Sequence, residues 1–321
     1  MKISLILCTV FLIKVSFAET IIYDQPIVNG HAGYLMASEV NFPIDKVLIL
    51  VRGFDTENDD RPVDKLYGEH QQVVDYLSPM GWDIVVFDYV DGTIDLKHNA
   101  DNLASFIDLV DIYADPNYHL AIVGGSMGAI VARTMFAQEG SNMGVDTYVS
   151  VDAPHWGVYL SQCCNDLAAI LFDSYAGHQM LNGDDLYEEH YSWLRSIESH
   201  PDFMAEVIGP MNTCAIALSD GEQGYWEVSW GDRLIHTKFY PVSSYVYSNG
   251  LVSNFIPYHS AIYMEDYSTI KKRRFGYNRY AYNNTYSSYF DKTIANPRDR
   301  HYAPDYAVEQ ALQFVLDYYR R

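Results

Sequence analysis

The chain has 321 residues, 49% of them hydrophobic and 20% charged, a balance that can bury a sizeable core and excludes a disordered or fibrous protein. Its 21 basic and 42 acidic side chains give a formal charge of -21, and a field of that sign repels nucleic-acid backbones and anionic membranes. Nucleic acid is therefore excluded as an expected partner.

The first segment reads as an export signal. Lys2 supplies a basic start, Ile3 to Ile13 is mostly apolar, and Ser16-Phe17-Ala18 ends with small residues where a signal peptidase reads. Cleavage after Ala18 predicts a mature chain of residues 19–321, secreted or periplasmic. Its loss removes Lys2 and Lys14 and no acid, so the mature chain is more acidic still. The apolar run is shorter than the roughly 20 residues a membrane span needs, and no later stretch reaches that length, so no integral membrane segment is expected. Cys8 leaves with the signal. Cys163, Cys164 and Cys214 remain, enough for one intramolecular disulfide at most. The chain has no CxxC pair, HExxH helix or EF-hand loop, so neither a metal nor another cofactor is expected.

Through the first half of the mature chain, short β-branched runs alternate with helical patterns. Strands are predicted at Val47 to Val51, Ile84 to Phe87, Leu120 to Val123, Tyr148 to Val151 and Cys214 to Leu218. Leu103, Phe106, Ile107 and Val110 share one helical face, as do Val308, Leu312, Val315, Leu316 and Tyr319 near the end. That order predicts an α/β fold, a mainly parallel sheet flanked by helices. Two stretches break the rhythm. Residues 157–211 exceed the usual strand-to-helix loop and read as a helical insertion. Leu160, Leu167, Ile170, Leu171 and Phe172 make it a candidate lid, or else bury against the sheet. Residues 225–290 are rich in Tyr, Ser and Asn and read as antiparallel strands or ordered loops, as in Tyr245-Val246-Tyr247. The basic cluster Lys271 to Arg274 reads as a solvated turn.

Leu120 to Val131 reads as an apolar strand, then the corner Gly124-Gly125-Ser126-Met127-Gly128, then a helix start. A nucleophilic serine needs such a strained corner, and glycines two positions to either side let strand and helix backbones touch. The helix start also aims free N–H groups and a positive dipole end at a developing oxyanion. After the next predicted strand comes Val151-Asp152-Ala153-Pro154-His155-Trp156-Gly157, and the earlier strand Leu48 to Val51 runs into Arg52-Gly53-Phe54.

On these three segments the chain resembles the α/β-hydrolases, among them secreted lipases and esterases. The likeness spans most of the mature chain in element order. It implies Ser126 as nucleophile and the backbone N–H groups of Phe54 and Met127 as oxyanion hole, with Arg52 standing where the family usually carries His. The family places its base after the last strand, which implies His301, just before Pro304 and the closing helix; His259 is the alternative, and the neighbours of His236 suggest packing. The acid that orients the base is implied at Asp220, in the order Ser, Asp, His, with Asp152 as rival and Glu222 a weaker third. His155 follows the wrong strand for a base and reads as ordering the corner.

The expected activity is hydrolysis of a carboxylic ester, of a small molecule or a lipid, through an acyl-enzyme. The same triad also suits acyl transfer or peptide cleavage. A catalytically inactive hydrolase fold that binds a partner through its 28 tyrosines is the alternative from another class.

Overall fold

The computed structural model describes residues 34–41, 43–54, 66, 68–151, 153–155, 157, 173–181, 184–217, 224–229, 243–248, 290–295 and 304–319. Its strands are β1 (Tyr34–Glu39), β2 (Lys46–Val51), β3 (Asp83–Tyr89), β4 (His119–Gly125), β5 (Thr147–Val151), β6 (Asn212–Ala217), β7 (Gly224–Ser229), β8 (Ser243–Ser248) and β9 (Lys292–Ala295). Seven of these make one sheet in the order β1-β3-β2-β4-β5-β6-β9. β1 runs antiparallel to β3, while all other neighbours in that sheet are parallel. The five predicted runs became its interior strands, each within two residues of the expected ends. β7 and β8, inside the Tyr-rich stretch, pair with each other antiparallel.

Parallel strands need crossover helices, and these cover both faces of the sheet. On one face lie α1 (Gln71–Leu77) and, from the chain's end, a closing helix. On the other lie α2 (Leu96–Tyr113) and α3 (Met127–Glu139). Leu103, Phe106 and Ile107 of α2 are fully buried, as their spacing predicts. They join Ile49, Ile122 and Ile130 in one core, whereas Leu48, Leu50 and Val123 point the other way into a second core. This division is the alternation of a strand buried on both faces.

Two short helices, α4 (Tyr175–Met180) and α5 (Asp185–Glu198), lie within residues 157–211. α5 buries Tyr187, Tyr191 and Leu194 and packs beside Ala137 of α3. The apolar residues that suggested a lid, Leu160 to Phe172, lie outside the described residues. The chain closes with α6 (Pro304–Tyr319), which buries Ala307, Ala311, Leu312, Val315 and Leu316 along one side. Trp82 meets Tyr319 edge to face at 4.9 Å. Cys214 of β6 is a free, buried thiol whose pKa burial pushes up to about 12. No helix among the described residues is long and apolar enough to cross a membrane.

Candidate active site

Because β2, β4, β5, β6 and β9 are parallel, their C-terminal ends lie along one edge of the sheet. The register aligns Gly125 with Val151, Val151 with Ile216, and Ile216 with Ile294. In open α/β sheets that edge is where ligands bind.

Ser126 stands there between β4 and α3, with φ 49° and ψ -121°, the one non-glycine residue of positive φ among the described residues. For an L-residue that conformation costs roughly 1–3 kcal/mol, and surrounding contacts must hold it. Three such contacts are visible. The Ser126 N–H donates to the Val151 carbonyl at 2.9 Å, the Ala129 N–H donates to the Ser126 carbonyl at 3.2 Å, and the Tyr148 hydroxyl donates to the Ala129 carbonyl at 2.8 Å. The serine itself is exposed.

The flanking glycines are there for space. A Cβ on Gly124 would lie 2.5 Å from the Ala129 nitrogen, and one on Gly128 would lie 2.3 Å from the Val51 carbonyl oxygen and 2.5 Å from that of Arg52. Strand and helix therefore approach as closely as the corner demands. The Arg52-Gly53-Phe54 turn comes just as near: a Cβ on Gly53 would sit 3.2 Å from Ser126 Cβ. Phe54 and Met127, the expected oxyanion residues, thus flank the serine in chain position, Phe54 one residue past Gly53 and Met127 directly after Ser126.

The base and acid expectations fall elsewhere. Asp152, Asp220, His259 and His301 lie outside the described residues, as do Glu222 and His236. What is described are the elements beside them: β5 ends at Val151, β6 at Ala217 and β9 at Ala295, and α6 begins at Pro304.

His155 is completely buried. Arg133 NH1 lies 3.3 Å from its Nδ1. A guanidinium only donates, so Nδ1 accepts, and the ring proton sits on Nε2, 2.7 Å from Ser150 Oγ. Burial, and then the Arg133 charge, holds this imidazole well below the ordinary histidine range. It is a fixed neutral ring that orders the segment after β5. Arg133 also donates to the His155 carbonyl at 2.7 Å and pairs with both carboxylate oxygens of Glu198 at 2.6 Å. This network escaped the sequence reading, although one arginine within the apolar run Met127 to Phe136 was its visible signal.

Beside Gly53 and Gly125 of the corner lies a cavity of about 350 Å3, lined by apolar Leu50, Val123, Val151 and Leu312 and by polar Arg52, Glu69 and His70. It falls in the size range of small-molecule sites. No group of three or more metal-ligating side chains occurs among the described residues.

No protein-family model and no curated protein matches the sequence. Matches to solved structures are low in identity and in overlap. Lipase BlEst2 of Bacillus licheniformis in mature form is 16% identical, covering 58% of this chain and 71% of its own at a TM-score of 0.40. A soluble variant of the Saccharomyces cerevisiae monoglyceride lipase is 12% identical over 62% and 76%, at 0.38. Est1E of Butyrivibrio proteoclasticus is 12% identical over 59% and 74%, at 0.34. At such identities nothing of those proteins' chemistry transfers to this chain. Its own strand order, one antiparallel edge on a parallel sheet, and a positive-φ serine between the central strand and its helix are together the α/β-hydrolase fold.

Proposed function

We propose that the chain is a secreted serine hydrolase that cleaves carboxylic esters through an acyl-enzyme on Ser126. The observation that carries this reading is the Ser126 backbone. Glycine adopts φ 49° without cost, so a serine held there at roughly 1–3 kcal/mol makes sense when its hydroxyl is needed. A binding-only protein has no use for that strain. The apolar residues of the cavity beside the corner suit the hydrocarbon part of an ester.

In the proposed reaction, His301 takes the Ser126 proton as Oγ attacks the ester carbonyl. The resulting oxyanion accepts from the Phe54 and Met127 N–H groups, at the head of α3 with its positive dipole end. His301 then protonates the departing alcohol and activates the water that releases the acid. Asp220 holds the imidazole in the right tautomer and stabilises its cation; Asp152, directly after β5, is the other carboxylate for that role. No cofactor is needed, and the signal segment 1–18 would export the chain.

Fluorophosphonate labelling tests the reading. The wild type should label on Ser126 and hydrolyse p-nitrophenyl esters, with acyl length scanned to separate esterase from lipase. Ser126→Ala should lose both properties at unchanged Tm. His301→Ala should lose nearly as much while His259→Ala keeps most activity, and Asp220→Asn should cost more than Asp152→Asn. Retained turnover in Ser126→Ala would sink the assignment. Reversed results within either pair would move the base or the acid to its alternative.

A further inference from the structure

Arg52 occupies a position where the resemblance leads one to expect histidine, and its surroundings explain what an arginine does there. It is the last residue before the Gly53-Phe54 turn, and the end of β3 holds it from three directions. Its N–H donates to the Phe87 carbonyl at 3.2 Å. Its guanidinium meets Asp88 Oδ2 at 2.6 Å, with the two side chains only 13% and 7% exposed. The Tyr89 hydroxyl, on a ring buried in the core, donates to its carbonyl at 3.1 Å. Asp88 is itself fixed, because its Oδ1 accepts the Tyr89 N–H at 3.0 Å. A second guanidinium nitrogen lies 3.4 Å from the more exposed Glu69. On the far side, the Arg52 carbonyl abuts Gly128 of the serine helix so closely that a Cβ there would lie 2.5 Å away.

We propose that Arg52, Asp88 and Tyr89 form a clamp that fixes the Arg52–Gly53 peptide, the anchor from which Gly53 carries the Phe54 N–H toward the oxyanion, so that the approach of this donor is set before substrate arrives. The inference rests on the ester-hydrolase reading above and adds three positioning residues to it. None of them touches the reacting atoms. They act because an oxyanion donor stabilises only if its direction is set beforehand, and a peptide after a Gly-containing turn has little stiffness of its own. The ion pair fixes the side chain and the tyrosine fixes the carbonyl, so the peptide plane leading into Gly53 is held at its start and only the Gly53 dihedrals separate it from the Phe54 N–H. Lysine could hold the charge but not the planar fork of donors that reaches Asp88 and Glu69 together.

The test compares wild type with Tyr89→Phe, Arg52→Met and Arg52→Lys, each measured for Tm, for kcat and KM on a p-nitrophenyl ester, and for affinity toward a trifluoromethyl ketone of the same acyl chain. The ketone adds Ser126 Oγ to its carbonyl carbon, the hydroxyl proton passes to the base, and the new oxyanion occupies the hole. Deleting an oxyanion donor outright costs about 10²–10³ in kcat. Misaimed donors should cost less: about tenfold for Tyr89→Phe and up to about a hundredfold for Arg52→Met, with KM nearly unchanged and ketone affinity falling by the same factor as kcat. Arg52→Lys should recover part of the loss. Tyr89→Phe removes a single oxygen and keeps the test open if Arg52→Met does not fold. A wild type that turns over esters and binds the ketone, beside folded variants that match it in kcat and ketone affinity, overturns the clamp alone. A wild type that does neither overturns the hydrolase reading and the clamp with it.

Discussion

Two arginine–carboxylate pairs flank the serine corner, and they differ in depth. Arg133 and Glu198 join α3 to α5 with side chains 1% and 0% exposed. Arg52 and Asp88 join the ends of β2 and β3 nearer the rim, and Arg52 adds the partly exposed Glu69. The deep pair binds helix to helix beneath the corner, at the cost of desolvating both charges. The rim pair fixes one turn beside the nucleophile. Depth thus separates the two roles: breaking the deep pair should be felt in folding, and breaking the rim pair in the rate of reaction per folded molecule.

The sharpest way to break this contrast is Glu198→Gln. It leaves the Arg133 guanidinium buried without its counter-charge and should cost about 3–5 kcal/mol of stability, read by urea unfolding. The kcat of the molecules that remain folded should change little. Replacing both members by Arg133→Met and Glu198→Leu should recover part of that loss, because a buried pair is worth little beside apolar packing of similar volume, while the buried His155 carbonyl loses its Arg133 donor. If Glu198→Gln left stability untouched and lowered kcat, the roles assigned by depth would be exchanged.

A smaller effect is expected where the corner and the rim meet. Gly128→Ala places a methyl against the Val51 and Arg52 carbonyls, 2.3 Å and 2.5 Å from their oxygens, and backbone must shift to admit it. Overpacking of this kind costs about 1–3 kcal/mol. Since one of the two carbonyls displaced is that of Arg52, kcat should fall by more than the stability loss implies. Steady-state kinetics well below the Tm would show it, and an unchanged kcat would separate the Gly53-Phe54 turn from the chemistry.

A third buried carboxylate sharpens the comparison because no cation pairs with it among the described residues. Asp83 is 1% exposed and accepts the Asn41 N–H at 2.5 Å through one oxygen, while the other has no hydrogen-bond partner among the described residues. Burial raises its pKa from 3.8 to about 7, opposed mainly by the Asn41 hydrogen bond, with the Asp45 charge adding to the rise. The folded protein therefore holds a proton that the unfolded chain releases. Its contribution is fully present below pH 3.8 and is lost as pH rises to about 7, by at most about 1.4 kcal/mol per pH unit. Asp83→Asn should flatten stability across that window when urea unfolding is repeated at several pH values. An unaltered slope would mean that another group sets the pH dependence.

These elements also show what the sequence could and could not reveal. The interior strands were legible because each is buried on both faces and so is written as an unbroken apolar run, as in Val47 to Val51. The edge strands were not. β1 was missed at Tyr34–Glu39, and β9 has only Lys-Thr-Ile-Ala, with no run to read. At the site, Ser126 and its glycines were legible because the corner is local, and its steric needs fall on adjacent residues. The Arg133–Glu198 and Arg52–Asp88 pairs were not, since 65 and 36 residues separate their members, and only the folded chain brings them together. Arg52 did stand out by type, as a departure from the expected histidine, but its partners Asp88 and Tyr89 look like ordinary strand ends.

Cys214 turns the central sheet into a clock. Its sulfur is shut inside β6, and with a pKa near 12 it stays a thiol at any pH where the fold is usually handled. Alkylating reagents attack the thiolate, so both access and ionisation wait for the strand to come away from its neighbours. The rate at which that one sulfur is modified therefore times the opening of the layer that carries Ser126, separately from any motion at the rim.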